Sequence, residues 1–154
     1  MNSTINNKSI TSFRGEYDFL SNFYESHFFF DGKVWHTVEH AFQAMKTLLP
    51  SRREKIRQAK SPIIAKRMGR ESSIRPDWDS IKIDVMKVLV LLKFCSNKDL
   101  MNKLLDTGDA ELIEENTWGD KFWGMCDDEG MNCLGKILME VRGRLKKITR
   151  ELNV

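Results

Sequence analysis

Glu39, Gln43 and Lys46 pose the chemical question, because their spacing is i, i+4, i+7. On a helix advancing about 100° per residue, they fall in one narrow polar stripe. Val38, Phe42, Met45 and Leu49 form the adjacent apolar arc, so the stripe borders a buried face. A carboxylate and an amine placed there lose hydration, which shifts their pKa values and makes them reactive. The same spacing also fits a solvated helix face on which Glu39 and Lys46 do no chemistry.

A second group is the run Asn116-Thr117-Trp118-Gly119-Asp120-Lys121-Phe122-Trp123-Gly124. Glycines such as Gly124 let the backbone approach a ligand closely, and an indole offers a flat face for a base. Asp120 adds a carboxylate beside that platform. The alternative is a structural loop with Trp123 plugged into the core. A third cluster follows Gly69, where Arg70, Arg75, Asp77 and Trp78 stand together. Arginine forks suit phosphate oxygens, although a solvated helix end anchored by Trp78 explains the same residues. Finally, His36-Thr37-Val38-Glu39-His40 matches H-x-x-E-H, a zinc-binding signature. It straddles the expected helix start, and no recognisable third ligand follows, so the expectation is that no metal is held there.

These residues need elements to place them. Phe28 to Phe30 and Val34-Trp35 flank Asp31-Gly32, the signature of a β-hairpin with a type I′ turn. Thr37 is the expected N-cap of a helix running to about Leu49, before Pro50. Ser51 and Glu54 have capping-box spacing for a short helix. Ser61-Pro62 starts another, with Gly69 as its C-terminal cap. Pro76 to Phe94 reads as the central buried helix, with Ile81, Val85, Val88, Leu89 and Leu92 inside. Asn97 is the expected cap of a helix from Lys98 that stops at Gly108. Short strands are expected at Ile10 to Arg14, at Glu111 to Glu115 and around Phe122 to Met125, the last within a long loop from Asn116 to Gly130. Leu134, Ile137, Leu138, Val141, Leu145 and Ile148 recur at helical steps and predict a final amphipathic helix, with Lys136, Glu140, Arg144 and Lys147 outside. The fold class expected is α+β, mainly helical, as a single domain with a small hairpin or sheet.

A chain of 154 residues suits one domain, here residues 10–154 after a loose polar tail at 1–9. Its formal net charge is only +3, which fits a phosphorylated small molecule or a brief visit to nucleic acid better than a strong DNA footprint. Three cysteines, none at C-x-x-C spacing, read as reduced and mostly buried thiols in a cytoplasmic protein. No secretory leader pattern is present, and Val88 to Leu92 is too short an apolar run to span a bilayer.

Taken in order, several blocks resemble the NADAR/YbiA-like family. Phe19-Leu20-Ser21-Asn22-Phe23-Tyr24 and Asp31-Gly32 come first, followed by Thr37-Val38-Glu39-His40-Ala41-Phe42-Gln43-Ala44-x-Lys46. Ala65-Lys66-x-x-Gly69-Arg70, Arg75-x-Asp77-Trp78 and Lys93-Phe94 continue the pattern. Leu104-Leu105-x-Thr107-Gly108, Asp120-x-x-Trp123-Gly124, Asn132-x-Leu134-Gly135 and Leu138-Met139-x-Val141-Arg142 complete it. The ordered set covers about Phe13 to Leu145. One local departure is Trp118-Gly119 before Asp120, which puts substrate choice in question.

The resemblance implies an N-glycosidase acting on ribosylated bases. Some members hydrolyse phosphoribosylated intermediates of riboflavin biosynthesis, and others remove ADP-ribose from guanine in nucleic acid. Carried over by position, Glu39 is the carboxylate that activates water or steadies an oxocarbenium ion, and Asp120 holds a ribose hydroxyl or acts as second acid/base. Lys46 offers a Schiff-base route. Trp78 and Trp123 are expected to stack the base, Arg14 and Arg70 to hold phosphate, and Asn22 and Gln43 to hydrogen-bond the ligand or the carboxylate. Hydrolysis needs only water, so no cofactor is expected, nor a membrane or an obligate protein partner. The competing function is a catalytically silent module that binds ADP-ribose or nucleotides.

Overall fold

The computed structural model describes residues 8–153. The expected tail therefore lies mostly outside the described residues. Within them, Ser9–Ile10 forms strand β1, which pairs in parallel with β4, Glu111–Leu112. The fold class is the one expected, mainly helical α+β with two small two-stranded sheets. Its chain gathers into two units, residues 21–100 and residues 1–20 with 101–154, with the division inside one helix.

In the 21–100 unit, β2 (Phe28–Phe30) and β3 (Lys33–Trp35) form the antiparallel hairpin with Phe28 opposite Trp35. Asp31 and Gly32 take φ of 52° and 73°, the left-handed pair that a type I′ turn requires. Trp35 is buried and its Nε1 donates to Phe30 O at 2.8 Å, which clamps the hairpin shut. Helix α1 (Val38–Met45) follows at once, with Thr37 Oγ1 accepting from His40 N at 3.1 Å as its N-cap. It ends earlier than expected, at Met45.

Helix α2 is Pro50–Arg57 and α3 is Pro62–Arg70. The capping box at Ser51 does not form. Pro50 occupies the first helical turn, which makes Leu49 the cap residue, and Glu54 instead accepts from Arg57, Lys33 and Gln58. Ser61 does cap α3, accepting from Ile64 N. Gly69 is not its terminus. It lies inside the helix, which ends at Arg70 with Glu71 as the cap.

Helix α4 is Trp78–Cys95. Its buried residues are Trp78, Met86, Leu89, Val90, Lys93 and Phe94, while Val88 is 46% exposed and Ile81, Val85 and Leu92 are half-buried. The helix buried all round is α1, in which all eight residues are buried. The reason is geometric: α1 packs against α2, α3 and α4, so none of its sides is left to water. Cys126 and Cys133 are buried and Cys95 is exposed, so the thiols are mostly buried, as expected.

Helix α5, Lys98–Asp106, crosses the division between units. Asn97 does not turn its side chain onto α5. Its Nδ2 donates to Lys93 O at 2.8 Å and closes α4. In the other unit, the strand expected over Ile10 to Arg14 is confined to β1, and a 3-10 helix spans Gly15–Leu20. The strand expected over Glu111 to Glu115 shrinks to β4, and Phe122 to Met125 makes only a bridge between Met125 and Glu115. Helix α6, Cys133–Leu152, buries Leu134, Ile137, Leu138, Val141 and Leu145 along the expected face and packs on β4. Ile148, also expected inside, is 43% exposed. Each large aliphatic side chain buried there stabilises the fold by about 1.5–3 kcal/mol. No helix among the described residues is long and apolar enough to cross a membrane.

Candidate active site

Complete burial of α1 puts charge where water does not reach. Glu39 is 7% exposed and Gln43 3%. The Glu39 N–H donates to Asn22 O at 3.1 Å, so the Ser21-Asn22 segment braces the first turn of the helix. The Asn22 side chain is buried as well, with Nδ2 3.5 Å from Met86 Sδ. One turn on, Gln43 Nε2 donates to Glu39 Oε1 at 2.7 Å. Gln43 Oε1 is buried with no hydrogen-bond partner among the described residues. It faces Gly69, where an added Cβ would collide with it, so glycine at that position lets α3 close onto α1.

Burial pushes the Glu39 carboxyl above the ordinary carboxylate range. The hydrogen bond from Gln43 and the charges of Lys66, Lys46 and Arg70 oppose that shift without overcoming it. Lys46 sits at the C-cap of α1, half-buried, with Nζ 5.6 Å from the Phe42 ring centroid. Desolvation lowers its pKa. The Glu39 carboxylate works against this, and Arg70, Lys66 and Lys82 reinforce it. Its carbonyl accepts from Arg75 N at 2.8 Å, which ties the stretch before α4 to the end of α1. Trp78 is 6% exposed and packs on Phe42 with ring centroids 5.0 Å apart, so it bears on Lys46 through that ring.

Lys66 was absent from the sequence-derived candidates. Lys66 and Arg70 are four residues apart on α3, the spacing that puts both on one helix face. Read together with Gly69, a residue that lets helices approach closely, that spacing was the available signal. Arg75 is different. Its Nε and Nη2 meet Asp77 Oδ1 and Oδ2 at 2.6 and 3.0 Å, so the fork offered to phosphate in the sequence reading is engaged by Asp77.

The remaining candidates belong to the other unit. Arg14 is exposed and its carbonyl accepts from Tyr17 N at the head of the 3-10 helix. Asp120 Oδ1 accepts from the backbone N–H groups of Phe122 and Trp123 at 3.1 and 2.9 Å. Asn116 frames the same turn: its Oδ1 accepts from Asp120 N and its Nδ2 donates to Asp120 O. Trp123 is half-buried and edge-on to Phe122 at 4.8 Å. Gly124 is tight against Glu114 O and Asn116 Nδ2, so its missing side chain admits protein backbone.

The H-x-x-E-H reading fails on geometry. His36 precedes the helix, which starts at Val38. His40 has Nδ1 2.7 Å from Thr37 Oγ1 and Nε2 3.0 Å from Ala59 O, so both ring nitrogens are engaged. Glu39 turns to Gln43 instead of joining the histidines.

The relatives of the chain give its family and reaction class. The profile of the NADAR domain matches residues 11–146. N-glycosidase YbiA of Escherichia coli (strain K12) is 42% identical over 148 residues, covering 94% of this chain and 91% of that protein. An N-glycosidase of Nostoc punctiforme is 37% identical over 142 residues, covering 86% and 88%. A riboflavin biosynthesis protein of Vibrio vulnificus is 40% identical over 132 residues, 84% of this chain but 36% of that longer protein. The NMR structure of E. coli YbiA superposes with a TM-score of 0.85 at 38% identity, covering 96% of this chain and 90% of that one. The chain belongs to the NADAR domain family and is a hydrolase of the N-glycosidase class.

Proposed function

We propose that the α1 site hydrolyses the C1′–N bond of a phosphorylated ribosyl base, either ADP-ribose on guanine in nucleic acid or a phosphoribosylated intermediate of riboflavin biosynthesis. The observation that carries this reading is a buried carboxylate with a raised pKa, Glu39, acted on by the three cations Lys46, Lys66 and Arg70. With Lys46 acting as an amine, Lys66 and Arg70 still set positive charge beside the carboxylate, which suits phosphate oxygens. The similarity to a riboflavin biosynthesis protein supports the second substrate class.

Breaking the bond builds positive charge at C1′ and negative charge on the departing base. The Glu39 carboxylate stabilises the first, and in a dry site that stabilisation exceeds its value in water. Lys46, its pKa lowered by burial, presents a free amine more readily than an exposed lysine does. That amine attacks C1′, the C1′–N bond to the base breaks, and the base leaves with its bonding pair and takes up a proton. The ring oxygen then accepts a proton as the sugar opens to an imine on Lys46. Water, deprotonated by Glu39, adds to the imine carbon and releases the sugar aldehyde, which restores the amine.

The test offers both substrates with borohydride present. The expected result is base release together with a sugar adduct fixed to Lys46 and absent from Lys46→Arg. Base release without an adduct favours direct attack of water on C1′ with Glu39 as base. Binding of either ligand with no base released would replace the enzyme with a nucleotide-binding module.

A further inference from the structure

The hairpin carries a second cluster of ligating side chains that takes no part in the α1 site. Phe28 stands opposite Trp35, and the flanking His27 and His36 bring their rings to 4.6 Å, edge-on. Residues two apart on one strand share a face. Glu25, His27 and His36 therefore project together from the open end of the hairpin. The geometry agrees: Glu25 Oε1 lies 3.1 Å from His27 Nε2 and 3.7 Å from His36 Nδ1. One ligand atom from each of the three residues lies within 4.8 Å of the other two.

Two of the three separations are close to those that a small metal ion needs. Zinc binds imidazole nitrogen and carboxylate oxygen at about 2.0–2.2 Å, and tetrahedral geometry then separates neighbouring ligands by about 3.4 Å. The two observed distances bracket that value. The backbone beneath the ligands is braced, as a site requires. Ser26 N donates to His36 O at 2.8 Å, and Asn97 Nδ2 donates to His27 O at 3.3 Å. Two imidazoles and one carboxylate suit late first-row ions and are poor ligands for magnesium or calcium.

We propose that Glu25, His27 and His36 form a binding site for one zinc ion, with water completing the coordination. An ion there cross-links the two hairpin ends just before Thr37, the cap of the helix that carries Glu39. The site is separate from the failed H-x-x-E-H motif, sharing only His36 with it.

The experiment uses untagged, chelator-stripped protein titrated calorimetrically with zinc sulfate. The chain has three histidines, and both ring nitrogens of His40 are engaged in the fold, so the imidazole ligands are unambiguous. Expected is one ion per chain, a higher Tm with zinc, and an affinity loss of about tenfold or more in His27→Ala and in His36→Ala. Both side chains are about half exposed, which keeps these variants folded. Cys95→Ser, which removes the exposed thiol, leaves the affinity unchanged. Absence of binding, unchanged affinity in the double histidine variant, or loss of binding in Cys95→Ser would each overturn the assignment.

Discussion

The stripe on α1 and the turn around Asp120 both present an acid beside aromatic rings, yet they use their polar atoms differently. Asp120 spends Oδ1 on two backbone N–H groups, and Asn116 gives both ends of its amide to the same turn. Those side chains hold a loop in shape. Glu39 is more deeply buried but accepts one described hydrogen bond, from Gln43, and Gln43 leaves its own oxygen without a partner among the described residues. Buried polar atoms are normally satisfied because leaving them bare costs about 1–3 kcal/mol each. The bare acceptor beside a carboxylate of raised pKa is what sets the α1 stripe apart. A turn that commits one carboxylate oxygen to two backbone N–H groups has gained stability instead.

Replacing Glu39 by Gln puts the greatest strain on this contrast. Turnover should fall by about 10²–10⁴-fold with ligand affinity retained, measured as kcat and Kd on the same preparation. Stability should move the other way. The folded state raises the Glu39 pKa, so it binds that proton more tightly than the unfolded chain does. The stability linked to this group is fully present below the unfolded pKa and is lost as pH rises through the folded pKa. Glu39→Gln carries no such loss. Its Tm should exceed that of the parent at neutral pH, and the gap should close as pH falls through the raised pKa. A variant that is less stable at neutral pH would show that Glu39 is a structural acid after all.

Next in size is Gly69→Ala. The methyl group meets Gln43 Oε1, so overpacking at the α1–α3 contact should cost about 1–3 kcal/mol and displace the amide that holds Glu39. Shortening the neighbour tests the cause. In the Gly69→Ala, Gln43→Ala double variant the two costs should add to less than their sum, read by denaturant unfolding. Strict additivity would mean that the collision is relieved elsewhere.

That glycine also marks the limit of what the sequence disclosed. Local signals were readable where a short stretch determines its own geometry, as in the Asp31-Gly32 turn, the Thr37 cap and the apolar face of α6. Gly69 looked like a helix end because glycine often is one, and only the approach of α3 to α1 reveals the other use. The central helix was misassigned for a related reason. The apolar residues of α4 outnumber those of α1, but burial depends on how many neighbours pack on a helix. Three of them surround α1 and seal in Glu39, His40 and Gln43 despite their polarity. The pairing of Ser9–Ile10 with Glu111–Leu112 joins segments about a hundred residues apart, and no local pattern encodes it. At the site, the stripe of Glu39, Gln43 and Lys46 was visible from spacing, while Lys66 required knowing which face of α3 meets α1.

Asp120 supplies a smaller but sharper test, because two substitutions separate holding a loop from doing chemistry. Asp120→Ala removes the acceptor of two backbone N–H groups and should cost about 1–3 kcal/mol, seen as a lower Tm. Asp120→Asn keeps an acceptor oxygen in place and should recover most of that stability. If Asp120→Asn retains turnover too, the residue is a loop former. If it retains Tm but loses turnover, the contrast drawn above is wrong, and the carboxylate contributes its charge to the reaction.

The smallest expected effect belongs to Trp118, whose indole is 56% exposed. Little apolar surface is gained there on folding, so Trp118→Ala should change stability by no more than about 0.5 kcal/mol. For a chain of this size that is a Tm shift of about 1–2 °C. An exposed indole face can stack a base, which is worth about 1–3 kcal/mol. Trp118→Ala should therefore alter the ratio of kcat/KM values between ADP-ribosylated guanine and the phosphoribosylated pyrimidine by tenfold or so, about 1.4 kcal/mol, with Tm nearly constant. A large fall in Tm with an unchanged ratio would move Trp118 to the side of the loop formers, beside Asn116.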